Sequence, residues 1–258
     1  MFKPYIAAGT LASTILLCST SAQATIVEFE TVLGNIQVNL YDESTPETVE
    51  NFLSYVEAQA YDGTFIHRSV PEFILQGGGF FYDEEAETFD RIETSDPVIN
   101  EPVWSNRQGT IAMAKVGSDP NSATSQWFFN LDDNHENLDV QNSGFTVFGE
   151  VISGMSVIED IAELPRFTMG KVFDNLPLRN YGEEEIDNKV EVTPPYLITL
   201  LSVRVIDDAE NSAADLDPVP NTLIDSVEDK DSGGSSGGAM GWLTLMLGLL
   251  GLRKVLVS

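Results

Sequence analysis

From Ile26 the chain alternates apolar and polar positions through Ile26-Val27-Glu28-Phe29-Glu30-Thr31-Val32. Gly34-Asn35 breaks the pattern, and Ile36-Gln37-Val38-Asn39-Leu40 resumes it. A period of two on both sides of a turn predicts a β-hairpin with one buried face. The period then changes. Val49, Phe52, Leu53 and Val56 follow Thr45-Pro46 at helical spacing. That predicts a helix with Thr45 as N-cap, Pro46 at its first position and one apolar stripe. Further strands are predicted over 65–70, 73–76, 110–114, 127–130, 145–151 and 196–205. A second helix is predicted near 155–164, carrying Ile158 and Ile161. Many strands with two helices predict a mainly β fold, a closed antiparallel barrel capped by the helices. Residues 81–100, long and acidic, and 166–195, with Pro, Gly and Glu183-Glu184-Glu185, read as surface insertions.

The two ends of the chain follow other rules. Lys3 precedes an apolar run from Tyr5 to Cys18, and Ala22-Gln23-Ala24 reads as a cleavage site. Residues 1–24 are therefore expected to be a signal peptide that leaves Thr25 as the new N-terminus. Cys18 is the chain's one cysteine, so the exported protein would have neither disulfides nor thiolate metal sites. The folded domain is expected over 25–206. Residues 207–238 are acidic, then rich in Gly and Ser, and read as a disordered linker. Residues 239–252 are apolar, and Arg253-Lys254 follow. As a helix, such a run reaches about 21 Å, short of a hydrocarbon core of about 30 Å. Gly-Gly, a short apolar helix and a basic pair resemble the glycine-glycine sorting signals cut by an intramembrane rhomboid-type protease. The expected location is the periplasm, the cell surface or the medium, with transient tethering by residues 239–258.

Charge narrows the function classes. Lys and Arg total 13 against 41 Asp and Glu, a formal net charge of -28. Nucleic-acid binding needs a basic surface, so no nucleic-acid partner is expected. The acidity reads as a solubility device. Asp83-Glu84-Glu85-Ala86-Glu87 lacks the ligand spacing and the turn glycine of a calcium loop.

One segment stands out against this background: Thr64-Phe65-Ile66-His67-Arg68-Ser69-Val70-Pro71-Glu72-Phe73-Ile74-Leu75-Gln76-Gly77-Gly78. Arg is costly to bury, so Arg68 within an alternating apolar pattern is either an edge residue facing water or a functional group. Four more segments accompany it: Met113-Ala114, Ser125-Gln126-Trp127-Phe128-Phe129, Leu138-Asp139 and Val147-Phe148-Gly149. In this order, from about Ile26 to Val205, they resemble the cyclophilin family of peptidyl-prolyl cis-trans isomerases, above all its compact periplasmic bacterial members.

The resemblance implies an eight-stranded barrel filled by side chains, with a substrate groove on its outer wall. It implies that Arg68 is the catalytic residue and that Gln76 holds its guanidinium and contacts the substrate backbone. Phe73, Ile74, Phe128 and Leu138 would receive the proline ring; by their residue type alone they would be core. Ala114, Lys115 and Gln126 would line the groove and bond the peptide main chain, and Phe145 stands where animal members often carry His. Asn137 departs from the Trp usual in cyclosporin-sensitive members, so weak cyclosporin binding is expected. The expected partners are unfolded or loop Xaa-Pro polypeptides, together with the protease acting on the tail, and the expected state is a monomer. No cofactor or metal is implied.

The chemistry is consistent with so few reactive groups. Rotation about an amide C–N bond is opposed by about 18–20 kcal/mol of resonance. Twisting returns a lone pair to the imide nitrogen, and a fixed donor aimed at that nitrogen stabilises only the twisted state. A guanidinium is such a donor and is always charged. The competing reading is a non-catalytic peptide-binding chaperone module displayed at the cell surface. His67 and His135 have no neighbouring nucleophile or ligand set in sequence, and neither points to hydrolysis.

Overall fold

The computed structural model describes residues 25–170, 172–207 and 216–224. The expected signal peptide, the Gly/Ser joint and the apolar segment 239–258 lie outside them. Among the described residues no helix is long and apolar enough to cross a membrane.

The chain opens with the expected hairpin, β1 (Ile26–Thr31) and β2 (Gly34–Leu40). Its turn is Val32-Leu33, two residues earlier than the sequence suggests, because Thr31 and Gly34 close the ladder as its last pair. The Thr31 hydroxyl accepts from Leu33 N at 3.0 Å and donates to Gly34 O at 2.8 Å, which fixes the turn.

Helix α1 (Pro46–Glu57) begins at the predicted proline, but the Thr45 side chain does not cap it. Thr45 Oγ1 instead donates to Tyr41 O at 3.2 Å. The Glu101 carboxylate takes the cap's place, accepting from Thr48 N at 2.9 Å and Thr48 Oγ1 at 2.7 Å. An anion there satisfies amides that have no partner inside the helix and suits its positive end.

The remaining elements, in order, are β3 (Arg68–Val70), β4 (Ile74–Gly77), β5 (Phe80–Asp83), β6 (Thr88–Arg91), β7 (Thr110–Met113) and β8 (Trp127–Asn130). There follow the short α2 (His135–Leu138), β9 (Val147–Ser153), α3 (Met155–Glu163), β10 (Arg166–Met169) and β11 (Phe173–Pro177). A second short helix, α4 (Glu183–Asp187), and β12 (Leu200–Asp207) complete the set. The two predicted helices are thus α1 and α3, and two single-turn helices join them.

Eight strands form one sheet in the order β12-β1-β2-β9-β7-β8-β4-β3. The sheet curls but is not a closed ring, which corrects the closed barrel expected from the sequence. Its end strands β12 and β3 are not paired as a ladder. The stretch before β3 meets only the start of β12 and the residues just before it, with Ile66 N bonded to Ile198 O at 3.0 Å and Leu200 N to Thr64 O at 2.8 Å. Beside β3 packs β11, from the second half of the chain, and not β12.

The alternation seen in the sequence now separates two cores. Phe29, Leu75, Ile111, Met113, Trp127, Phe129 and Phe148 point into the curled sheet and pack with Phe52 of α1 and with Ile158 and Ile161 of α3. Their neighbours in sequence, Ile74, Ala112, Phe128 and Val147, point out of it and form a second apolar group with Leu138 and Phe145. Successive strand residues face opposite sides, so one run of sequence supplies both the core and the outer wall.

The two stretches read as surface insertions do more than cover the surface. They fold into the hairpins β5–β6 and β10–β11. With Phe65 they build a third core of Phe80, Phe173, Leu176, Leu178, Tyr181, Val192 and Leu197.

Candidate active site

Three adjacent pieces of the outer wall bring the expected residues together. Across β3 and β4, Arg68 stands directly opposite Gln76. Across β4 and β8, Gln76 stands opposite Phe128, and across β8 and β7 Phe128 stands opposite Ala112. Period-two geometry puts Arg68, Gln76 and Phe128 in one row on one face. Phe73 enters from the turn between β3 and β4, and Leu138 and Phe145 from the turn after β8. The result is an apolar depression lined by Phe73, Ile74, Gln76, Ala114, Lys115, Phe128, Leu138 and Phe145. Phe128 and Phe145 meet edge to face, with centroids 5.8 Å apart.

Arg68 and Gln126 lie at the edge of this depression. Gln76 Nε2 donates to Gln126 Oε1 at 2.9 Å. The expected grip of Gln76 on the guanidinium is not made: Gln76 Oε1 and Arg68 Nη1 are both buried without a hydrogen-bond partner. Two polar groups, one a donor and one an acceptor, are therefore held unsatisfied beside an apolar pocket. Such groups are costly unless something else binds them. Burial pulls the guanidinium down from its ordinary range, and Asp174 on β11 pushes it back up.

Lys115 is turned inward. Its ammonium donates to Asn142 O at 2.7 Å and also to Gly144 O, and lies 4.7 Å from the centre of the Phe145 ring. Burial lowers it to about 8. In this position it holds the turn that carries Phe145 rather than reaching for a peptide main chain. Arg68 and Lys115 thus bring two of the chain's thirteen basic residues to one site on a strongly acidic protein.

A polar network behind the pocket was not legible in the sequence. The Asp139 carboxylate accepts from Ser105 Oγ at 2.6 Å, Asn106 N at 2.7 Å and Asn106 Nδ2 at 3.0 Å. Asn106 Nδ2 also reaches Phe145 O at 3.2 Å. Only Leu138-Asp139 in the motif series pointed this way; Ser105 and Asn106 look like ordinary loop residues until the chain folds.

The two histidines take different environments. His135 is partly exposed, with Nδ1 2.7 Å from Asp133 Oδ1. His67 is buried, edge-on to Phe80 at 4.9 Å between centroids. Burial, reinforced by the neighbouring Arg68 charge, lowers it to about 3. The unfolded chain takes up a proton near the ordinary value of about 6.5, which the folded chain refuses until about 3. Stability is therefore full above that upper value and falls as the pH drops through the window, by up to about 1.4 kcal/mol per pH unit. His67→Phe should lose less of its urea midpoint than the unaltered protein between pH 7 and pH 4.5. Equal losses would show that His67 is not the group responsible.

Comparisons with known proteins lead to the same chemistry. Residues 26–183 match the family described as cyclophilin type peptidyl-prolyl cis-trans isomerase/CLD. A peptidyl-prolyl cis-trans isomerase of Acinetobacter baylyi is 43% identical over 166 residues, covering 63% of this chain and 85% of the relative. Peptidyl-prolyl cis-trans isomerase A of Dickeya dadantii is 38% identical, covering 68% and 84%. Isomerase B of Escherichia coli is 37% identical, covering 53% and 83%. Among solved structures, a Cryptosporidium parvum cyclophilin superposes with a TM-score of 0.51 at 19% identity, covering 72% of this chain and 99% of that one. That likeness concerns the fold alone. With the family match spanning most of the described domain, the wall that gathers Arg68, Gln76 and Phe128 belongs to an enzyme: the chain is a member of the cyclophilin-type peptidyl-prolyl cis-trans isomerase family.

Proposed function

We propose that the protein accelerates rotation about Xaa-Pro bonds in exported polypeptides, with Arg68 stabilising the twisted imide. The observation that carries this reading is the unpartnered Nη1 of Arg68 beside a pocket of Phe73, Ile74, Phe128, Leu138 and Phe145. The pocket takes the apolar proline ring. The guanidinium then donates to the imide nitrogen, whose lone pair exists only while the C–N bond is twisted. Gln76 Oε1 is placed to accept a main-chain N–H of the substrate. No proton moves and no covalent intermediate forms. A binding module without turnover has no use for a donor held in this way.

A protease-coupled assay on residues 25–238 tests the reading. Xaa-Pro exchange should accelerate at micromolar enzyme, and EDTA should leave the rate unchanged. Peptide binding without acceleration would favour the non-catalytic chaperone instead.

Export is inferred from Lys3, the apolar run to Cys18 and Ala22-Gln23-Ala24. Gly237-Gly238 before the apolar run, and Arg253-Lys254 after it, support removal of the tail by an intramembrane protease. The intact mass of protein recovered from its cells should correspond to a start at Thr25 and an end within residues 232–239. A mass that includes Leu252 would mean that the segment is retained as an anchor.

A further inference from the structure

Composition places residues 207–238 in a linker, yet residues 216–224 lie on the domain. Val219 O accepts from Ser105 N at 2.8 Å, and Asn221 N donates to Val103 O at 2.9 Å. Trp104 and Pro220 thereby pair as an antiparallel bridge. The Asn221 side chain is buried and donates to Asp139 O at 2.9 Å. Its Oδ1 accepts from Leu223 N and Ile224 N, both at 3.1 Å, which turns the chain there. Leu216 packs on the apolar group that contains Phe128, Leu138 and Phe145.

The sequence suits this docking. Pro218 and Pro220 flank Val219. The residue before a proline is biased to extended backbone, so Asp217 and Val219 are set for a strand. Residues 219 and 221 supply the bonds to the domain, and the prolines occupy positions whose missing N–H costs nothing on an added edge. An already extended segment also loses less entropy on docking.

The segment bonds two members of the network behind the pocket, Ser105 and Asp139, and Val103 beside them. Asp139 follows Leu138 directly, and Phe145 N donates to Leu138 O at 2.9 Å. We propose that residues 216–224 are a clasp that completes the proline pocket. By adding a strand to the 103–105 segment and bonding Asp139 O, the clasp holds the turn that carries Leu138 and Phe145. Asn221 is its positioning residue. The clasp's effect on catalysis rests on the isomerase reading above; its effect on the pocket wall does not.

The test compares the chain of residues 25–238 with two variants, deletion of 216–224 and Asn221→Ala, the second leaving the backbone intact. Amide exchange at Phe145 reads the wall directly. Losing one or two net hydrogen bonds corresponds to about five- to thirty-fold in a local opening equilibrium. Asn221→Ala should therefore speed exchange at Phe145 about fivefold, and the deletion should speed it more. The wall grips the proline ring in planar and twisted states alike, so KM should rise about two- to fivefold with kcat unchanged. Unchanged exchange at Phe145 in both variants would overturn the clasp. Faster exchange in variants of a chain that shows no isomerase activity would overturn the isomerase reading and leave the clasp standing.

Discussion

Arg68→Ala should lower kcat/KM for Xaa-Pro peptides by about two to three decades, as expected for removal of one preorganised transition-state donor. Affinity for the same peptides should change little. Proline-ring contacts come from Phe73, Ile74, Phe128, Leu138 and Phe145, all untouched by the substitution. The folded state should also tolerate the change. Arg68 is half-buried and its Nη1 has no hydrogen-bond partner, so its removal orphans no group bonded to that nitrogen. Arg68→Lys should recover only part of the rate, because an ammonium cannot reproduce the planar fork. Coupled-assay kinetics beside direct peptide titration can check this. Parallel losses in binding and turnover would remove Arg68 from the role given to it here.

Gly78→Ala should destabilise the fold by about 3 kcal/mol, combining roughly 1 for a left-handed alanine with about 2 for overpacking. Gly78 has φ +75°, a region that side chains other than glycine's rarely adopt. A Cβ there would stand 2.6 Å from Trp127 Nε1 and 2.8 Å from the Ser125 carbonyl oxygen. Neither can retreat: Trp127 is fully buried, edge-on to both Phe29 and Phe129. Gly79→Ala is the informative neighbour. The atoms nearest its Cβ would all belong to the flexible Gln126 side chain, within 2.9 Å, and its φ is not positive. That variant should keep most of its stability and lose activity, since Gln126 pairs with Gln76 in the groove. Urea denaturation separates the two. A Gly78→Ala protein as stable as its parent would show that the indole is not pinned as described.

The strands and the two longer helices were legible because their periods are local. Trp127-Phe128-Phe129 reads as a strand from three residues, and the alternation already implies that Phe128 faces away from its neighbours. Thr45-Pro46 marked the start of α1, but its cap, Glu101, lies 53 residues beyond the Thr48 amide it accepts from, and no local pattern records it. The insertions read as polar surface because their apolar residues are dispersed. Phe80, Phe89 and Phe173 become a core only when the two hairpins meet around Phe65. Residues 216–224 read as linker for a similar reason: a segment that docks by backbone bonds and one asparagine shows little hydrophobic periodicity.

By itself the sequence determined the eight strands of the main sheet and the two longer helices, the face each of these strands buries and, through Arg68, Phe73, Gln76 and Phe128, the family. These follow from short-range sterics and side-chain type, which act within a few residues. Tertiary structure alone decided that the sheet ends open beside β11 and that Gln76 turns to Gln126 instead of Arg68. It likewise decided that Lys115 points inward to hold the turn bearing Phe145, and that the chain beyond β12 returns to bond Asp139. Each of these joins groups far apart in the chain, and a buried donor or acceptor takes whichever partner packing brings within about 3 Å.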